Sequence, residues 1–460
     1  QRTANRGSVS TGYDIDNSVK LEVDNNEWLY RNSPTAGNRK TFTISLWLKR
    51  AVLGHTPAGG DEYLAGQGSN ARFHFAGDTL RFQFESGSTE LESSRVYRDP
   101  SAWYHIVLAV DTSQGTAANR VKLYVNGEQQ SWNNTKYPSL NQESDWMNTN
   151  DLYIGTKWAS NSSGEGDNDL SGYLAEVVLL DGTAASPTSF GEVDDDSGIW
   201  IPINVSGLTF GSQGFYLNFS NPSSSGEDFS GNDNDLLDSN LSAADHSTDT
   251  PTNNFCTWNS SWQYLYEPII SEGGTKAGYH NSTDENAKAT IGLTNGKWYW
   301  EAKPVGTIGS QFIGIQTDGD SNLNSAQGIL LNYTMVIEPQ GRYYSYAGSL
   351  SESSAGQFTA LTTSDWLGIA LDMDSSTQTI KYYKNGSLIL TRDLISEMQG
   401  RTVFPFLQNY ESRSFYINFG GYTINTISSA ESDANGYGTF EYAPPTGHYS
   451  ICTKNLAEYG

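Results

Sequence analysis

The chain has 460 residues and carries 27 Lys plus Arg against 52 Asp plus Glu, a formal net charge of −25. That acidity argues against a nucleic-acid groove or an anionic membrane surface as partner, because both require a cationic face. The length exceeds what one core usually covers and predicts two domains of roughly 170–200 residues each.

Aromatic residues are abundant (27 Tyr, 18 Phe, 12 Trp) and Gly is frequent at 46, which favours strands and tight turns. No long stretch shows the apolar period of a helix, so the expected fold class is all-β. No run reaches the ~18 apolar residues of a spanning helix, and no apolar signal core follows Gln1. Gln1 is not an initiator methionine, so residues are expected to precede it. The two cysteines, Cys256 and Cys452, cannot form a disulfide framework. They are expected as free, semi-buried thiols, with a single bridge closing the second domain as the alternative.

Residues 1–20 are polar and read as an N-terminal arm. The first strand candidate is Val19-Lys-Leu-Glu-Val, followed by Trp28-Leu-Tyr. Phe42-Thr-Ile-Ser-Leu-Trp-Leu-Lys alternates cleanly, with Phe42, Ile44, Leu46 and Leu48 on one face and Thr43, Ser45, Trp47 and Lys49 on the other. That pattern predicts a half-buried strand. Short strands continue at Tyr63, Phe73, Leu80, the Trp103–Asp111 run, Val121, Leu152 and Tyr173, separated by Gly, Asp, Asn and Ser. Such spacing predicts a sandwich or barrel. From 206 to 262 the chain is rich in Ser, Asp, Asn and Gly and reads as a connector that wraps the first domain.

A second series begins near Trp262 and includes Lys297-Trp-Tyr-Trp-Glu, Phe312-Ile-Gly-Ile and Tyr333-Thr-Met-Val-Ile. It contains Trp366-Leu-Gly-Ile-Ala-Leu-Asp372, a Ser/Thr turn, Ile380-Lys-Tyr-Tyr-Lys and Asn385-Gly386. The upstream run Trp103–Asp111, Val121-Lys-Leu-Tyr-Val and Asn126-Gly127 has the same plan. Asn-Gly supplies the positive φ angles of a two-residue type I′ hairpin turn. One sandwich plan is therefore expected twice. The expected layout is a jelly roll over 21–205, the connector over 206–262, a second β-sandwich over 263–425 and an extended tail over 426–460.

These residues carry a resemblance. Lys297-Trp-Tyr-Trp-Glu, Ile313-Gly-Ile, Trp366-Leu-Gly-Ile-Ala-Leu-Asp372 and Tyr383-Lys-Asn-Gly together resemble a SPRY domain. Phe42-Thr-Ile-Ser-Leu-Trp, Trp103-Tyr-His-Ile-Val, Val121-Lys-Leu-Tyr-Val-Asn-Gly and Gly172-Tyr-Leu-Ala-Glu-Val resemble laminin-G-like, concanavalin A-like jelly rolls. Arg2-Thr-Ala-Asn-Arg-Gly-Ser, Ser186-Pro-Thr-Ser-Phe-Gly-Glu, Thr250-Pro-Thr-Asn-Asn-Phe-Cys, and Ala443-Pro-Pro-Thr-Gly with Cys452-Thr-Lys-Asn-Leu resemble marine tailed-phage virion proteins that join the two.

That last resemblance implies a non-enzymatic virion structural protein on the particle surface: a tail fibre, an appendage or a head fibre. It would act in adhesion to host-surface glycan or in virion assembly, with other virion proteins as partners and as a homo-oligomer. Capsid decoration is one alternative. A carbohydrate-active hydrolase of concanavalin A-like fold is another, and a secreted adhesin a third.

Three features are candidate sites. Trp132, Trp146 and Trp158 lie in Asn-rich surroundings, where rings can stack on sugar C–H faces while amides bind hydroxyls. The bland alternative is that they close one end of the sandwich. Acidic loops at Glu165–Asp169, Asp194–Asp196 and Asp318–Asn322 offer oxygens to calcium. The resemblance implies such an ion at Asp167 and Asp169, with solvated turn acids as the default. Glu22-Val-Asp24-Asn-Asn-Glu27 has the spacing of a glucanase carboxylate pair. Asn25 and Asn26 nevertheless predict a turn where that chemistry needs a strand, so no catalytic residue is assigned. The histidines are scattered, with no paired metal motif, nucleophile elbow or phosphate loop.

Overall fold

The computed structural model describes residues 12–32, 35–53, 61–85, 89–157, 169–261, 268–278, 285–318, 333–409 and 413–460. Two compact units emerge, one over Ser10–Thr252 and the other containing Asn253–Gly460. Both are built from sheets that are antiparallel but for one short parallel pairing in the C-terminal unit, as the all-β expectation required.

In the N-terminal unit the long strand Thr41–Arg50 lies between Trp103–Asp111 and Gly172–Asp181 at the centre of an eight-stranded sheet. A seven-stranded sheet runs in the order Leu237–Ser239, Trp28–Arg31, Leu152–Ile154, Asp61–Gln67, Ala71–Ala76, Thr79–Glu85, Thr89–Val96. Phe42, Ile44, Leu46 and Leu48 from the first sheet pack with Leu64, Phe73, Phe75, Leu80 and Phe82 from the second in one buried cluster. Alternation thus places the core where the sequence put it.

The opposite face of Thr41–Arg50 departs from the half-buried expectation, since Thr43, Ser45, Trp47 and Lys49 are also buried. A second apolar layer explains this. Val107, Val178 and Leu180 on the outside of the sheet pack with Phe190, Val205, Phe210 and Tyr216. Both Asn-Gly turns have the expected backbone, with φ of 50° and 78° at Asn126 and Gly127, and 47° and 76° at Asn385 and Gly386.

The stretch 206–252, expected as a connector, is part of this unit. Phe215–Leu217 pairs with Gly172–Asp181, Leu237–Ser239 with Trp28–Arg31, and His246–Ser247 with Ser18–Leu21. Buried ion pairs fix its return. Lys20 Nζ lies 3.0 Å from Asp245, and Lys49 Nζ lies 2.7 Å from Asp249, which also accepts from Trp103 Nε1 at 3.0 Å. Ser18–Leu21, at the end of the expected arm, is a paired strand inside the same sheet.

The C-terminal unit joins an eight-stranded sheet, centred on Lys297–Val305 and Leu367–Asp372, to a six-stranded one. Trp298, Trp300, Ile369, Leu371, Ile380 and Tyr382 are all fully buried. Residues 426–460 are more ordered than an extended tail. Tyr449–Ser450 pairs parallel to Lys297–Val305, and Thr453–Tyr459 forms a helix. Asp433 accepts from the Ser450 backbone and hydroxyl and from Asn455 Nδ2. The buried Glu301 carboxylate receives the backbone N–H groups of Glu441 and Tyr442 at 2.8 and 2.9 Å.

Cys256 and Cys452 are buried free thiols. Cys256 Sγ lies 3.8 Å from Thr290 Oγ1, and Cys452 Sγ lies 3.6 Å from Ser450 Oγ.

Candidate functional site

The three tryptophans have different fates. Trp146 is fully buried between the Phe42 and Phe82 rings, and its Nε1 donates to the Gln83 carbonyl at 3.0 Å. With no face toward solvent it cannot stack on a sugar, which corrects its assignment as a glycan contact. Trp132 is half-buried, and its Nε1 donates to the Val121 carbonyl at 3.3 Å. Its segment straps the two sheets together: Gln130 N donates to Leu123 O, and Asn133 N donates to Glu92 O. Trp132 therefore closes an edge of the sandwich. Trp158 and Asp167 lie outside the described residues.

Asp169 is 2% exposed and faces the interior instead of a solvated rim. Among the described residues no group of three His, Cys, Asp or Glu side chains is placed to hold a metal ion.

The carboxylates of the glucanase-like spacing are separated by a single 3₁₀ turn at Val23–Asn25, ended by Asn26 at φ 56°. Glu22 is buried and accepts from Ser171 Oγ at 2.9 Å, whereas Glu27 pairs with Lys20 at 2.9 Å. Burial pushes the Glu27 carboxyl up to about 7, against the pull of Lys20 and with the help of Asp245. Each acid is occupied by a different structural partner.

One Ser–His contact also bears on chemistry. Ser45 Oγ lies 3.0 Å from His105 Nε2, while Trp200 Nε1 lies 2.9 Å from His105 Nδ1. An indole N–H can only donate, so Nδ1 must accept and the proton of the neutral ring sits on Nε2. His105 then donates to Ser45, the reverse of what a general base does for a nucleophile. Complete burial holds His105 down at about 3, so the ring stays neutral.

The outward face of the seven-stranded sheet carries a row of aromatic and polar side chains that is exposed only in part. Its register aligns Leu237, Tyr30, Tyr153, Gly66, Arg72, Gln83 and Glu90 across successive strands. Paired residues share a face, and this phase is opposite to that of Leu29, Leu152 and Phe73 in the core.

Tyr30 is half-buried and Leu237 is 53% exposed, whereas Tyr153 is buried at 5% exposure and supports Tyr30 by stacking on it, the ring centres 6.2 Å apart with 23° between their planes. Gly66 divides the row. A Cβ there would fall 2.2 Å from the Lys157 carbonyl oxygen, so the main chain crosses the sheet at this point. The aromatic end is thereby separated from Arg72, Gln83 and Glu90. Tyr153 feels the nearby Asp151 charge, which adds to burial in raising its phenol.

Sequence reasoning missed this shelf. Tyr30 and Tyr153 read as ordinary strand residues, and Leu237 lay in the presumed connector. The available signal was their phase, opposite to that of Leu29 and Leu152.

Residues 24–188 match the concanavalin A-like lectin/glucanases superfamily. Tyr30 and Tyr153 lie inside that span. A search of curated proteins gave no match. Among solved structures, the chain is similar to a putative carbohydrate-binding protein from Bacteroides ovatus (14% identity, TM-score 0.34), covering 49% of this chain and 58% of that one. It is also similar to a heptameric SAP-like pentraxin from Limulus polyphemus, at 17% identity and TM-score 0.29, with coverages of 38% and 80%. The SPRY domain of human HERC1 matches at 13% identity and TM-score 0.26, over 35% of this chain and 94% of that domain.

Proposed function

We propose that the chain is a non-enzymatic adhesion protein whose N-terminal unit binds saccharide, displayed on the surface of a phage particle. The observation that carries the saccharide reading is the shelf formed by half-buried Tyr30 and exposed Leu237, with Tyr30 stacked on the buried Tyr153 ring; both tyrosines, though not Leu237, lie in the span that matches a lectin and glucanase superfamily. Rings of this kind pack on sugar C–H faces, and a strand framework holds them without an ordering cost on binding. A non-catalytic role is supported by the separate engagement of Glu22 and Glu27 and by the His105 tautomer.

Display on a virion rests on the five stretches that resemble phage virion proteins, with host-surface glycan and neighbouring virion subunits as partners. Repetition on a particle would turn weak single-site binding into avidity. Purified chain is expected to bind saccharides on a glycan array without cleaving them. Absence of any hit at high protein concentration would overturn the binding reading, and release of shortened products would overturn the non-catalytic one. For the particle, antibody raised to the chain should label virions; unlabelled virions would contradict display.

A further inference from the structure

We infer that the C-terminal unit carries a second site, for an acidic saccharide, on the outer face of its eight-stranded sheet, where Lys276 and Lys303 flank Tyr416. This site lies in a different unit from the tyrosine shelf and stands independently of it.

Strand register builds the row. Lys276 pairs with Tyr416, and Tyr416 with Lys303. Continuing the Ala302–Leu367 register by one residue sets Trp366 beside Lys303. Ala277, Ala302, Phe415, Ile417 and Leu367 alternate with these positions and are fully buried, so the row occupies the face opposite the core. Lys276, Tyr416 and Lys303 are half-buried, and Trp366 is a buried support for Lys303. The two lysines stand two strand spacings apart, about 10 Å.

Their ammoniums are held in a way that leaves the charge available. Other lysines of this unit pair with carboxylates, Lys297 with Asp372 at 2.8 Å and Lys384 with Asp365 at 3.1 Å. Lys276 and Lys303 pack on rings instead, 5.9 Å from the Tyr416 ring centre and 5.2 Å from a Trp366 ring centre respectively. A ring face attracts a cation without neutralising it. The acids bordering the row are engaged or buried. Glu301, next along on this face, is fully buried and accepts from the Tyr299 hydroxyl at 3.1 Å and from the backbone of Glu441 and Tyr442 at 2.8 and 2.9 Å. Glu441 accepts from Ser428 N at 2.7 Å, Asp365 holds Lys384, and Glu272 is buried.

The same geometry selects the ligand. Strand Lys297–Val305 is paired on both sides, so it offers no free edge to an extended acidic peptide. Two ammoniums are too few for a nucleic-acid backbone, whose binding is carried by many phosphate contacts. An acidic saccharide matches all three side chains. Its carboxylates or sulfates accept charge-assisted hydrogen bonds from the lysines. Tyr416, between them, supplies a ring for sugar C–H groups and a hydroxyl that both donates and accepts.

The test is titration calorimetry of the full chain with oligogalacturonate, a sulfated oligosaccharide, a neutral oligosaccharide of equal length and oligoglutamate of equal charge. The proteins are wild type, Lys276→Gln/Lys303→Gln, Tyr416→Ser and Tyr30→Ala, with circular dichroism to show that each is folded. At least one of the two acidic saccharides should bind wild type, about tenfold or more weaker in the double lysine variant, and weaker again as salt rises. Tyr416→Ser should also weaken it, whereas Tyr30→Ala should leave it unchanged. Failure of wild type to bind either acidic saccharide, or binding indifferent to the lysine and Tyr416 substitutions, overturns the inference. Oligoglutamate binding as tightly as the saccharide would overturn it in favour of an acidic peptide. Self-association of wild type in sedimentation, abolished by the double variant, would overturn it in favour of a second copy of the chain. Neutral binding in Tyr30→Ala reports on the shelf separately, so the two sites fail distinguishably.

Discussion

The pairing of Lys49 with Asp249 offers a sharp test of how the N-terminal unit is assembled. The two side chains are 0% and 1% exposed, with 2.7 Å between Nζ and Oδ2, and the second carboxylate oxygen accepts from Trp103 Nε1. They are 200 residues apart, so the pair exists only if the 246–252 segment returns to the central strand. Asp249→Ala deprives a fully buried ammonium of this carboxylate and should cost about 3–5 kcal/mol. For a unit of this size that corresponds to a fall of about 6–20 °C in melting temperature. The double variant Lys49→Met/Asp249→Asn removes both charges and keeps an acceptor for Trp103. It should recover more than half of the loss, because a neutral pair carries little desolvation penalty. Differential scanning calorimetry of the full chain would measure both variants. A cost under about 1 kcal/mol for Asp249→Ala would refute the placement of this segment.

Two further outcomes follow from buried groups. Burial pushes the Glu176 carboxyl up to about 7 from its ordinary 4.5, against the opposing hydrogen bonds from the Tyr216 and Tyr13 hydroxyls. Between those values the folded state keeps a proton that the unfolded state releases. Stability should therefore fall as pH rises across that window and level off above it, by on the order of 3 kcal/mol from this group. Glu176→Gln retains an acceptor for both hydroxyls, so it should reduce the decline in urea midpoint between pH 5 and pH 8; an unchanged decline would contradict this. Trp146→Ala should cost about 3–5 kcal/mol as a core truncation. Trp132→Ala, at a half-buried strap, should cost clearly less, and the reverse order in urea unfolding would contradict their placements.

What the sequence could show was set by how local each signal is. The alternation in Phe42–Leu48 and the two Asn-Gly turns are encoded within a few residues, and the structure reproduces both. The 206–252 stretch was opaque because its anchors, Asp245 and Asp249, look like solvated loop acids until Lys20 and Lys49 are brought to them from distant strands. Trp146 misled for the same reason: its sequence neighbours are polar, but its spatial neighbours are Phe42 and Phe82. The shelf is a product of register, since only the pairing of Leu237 with Tyr30 and of Tyr30 with Tyr153 gathers those side chains.

The central claim is that this shelf is where the chain meets a saccharide. Calorimetric titration of wild type and Tyr30→Ala with a neutral oligosaccharide that wild type binds tests it most directly. Loss of one stacked ring should weaken binding by about 5- to 30-fold without altering the melting temperature by more than a few degrees. Equal affinity of the two proteins would contradict the account and move the binding site elsewhere.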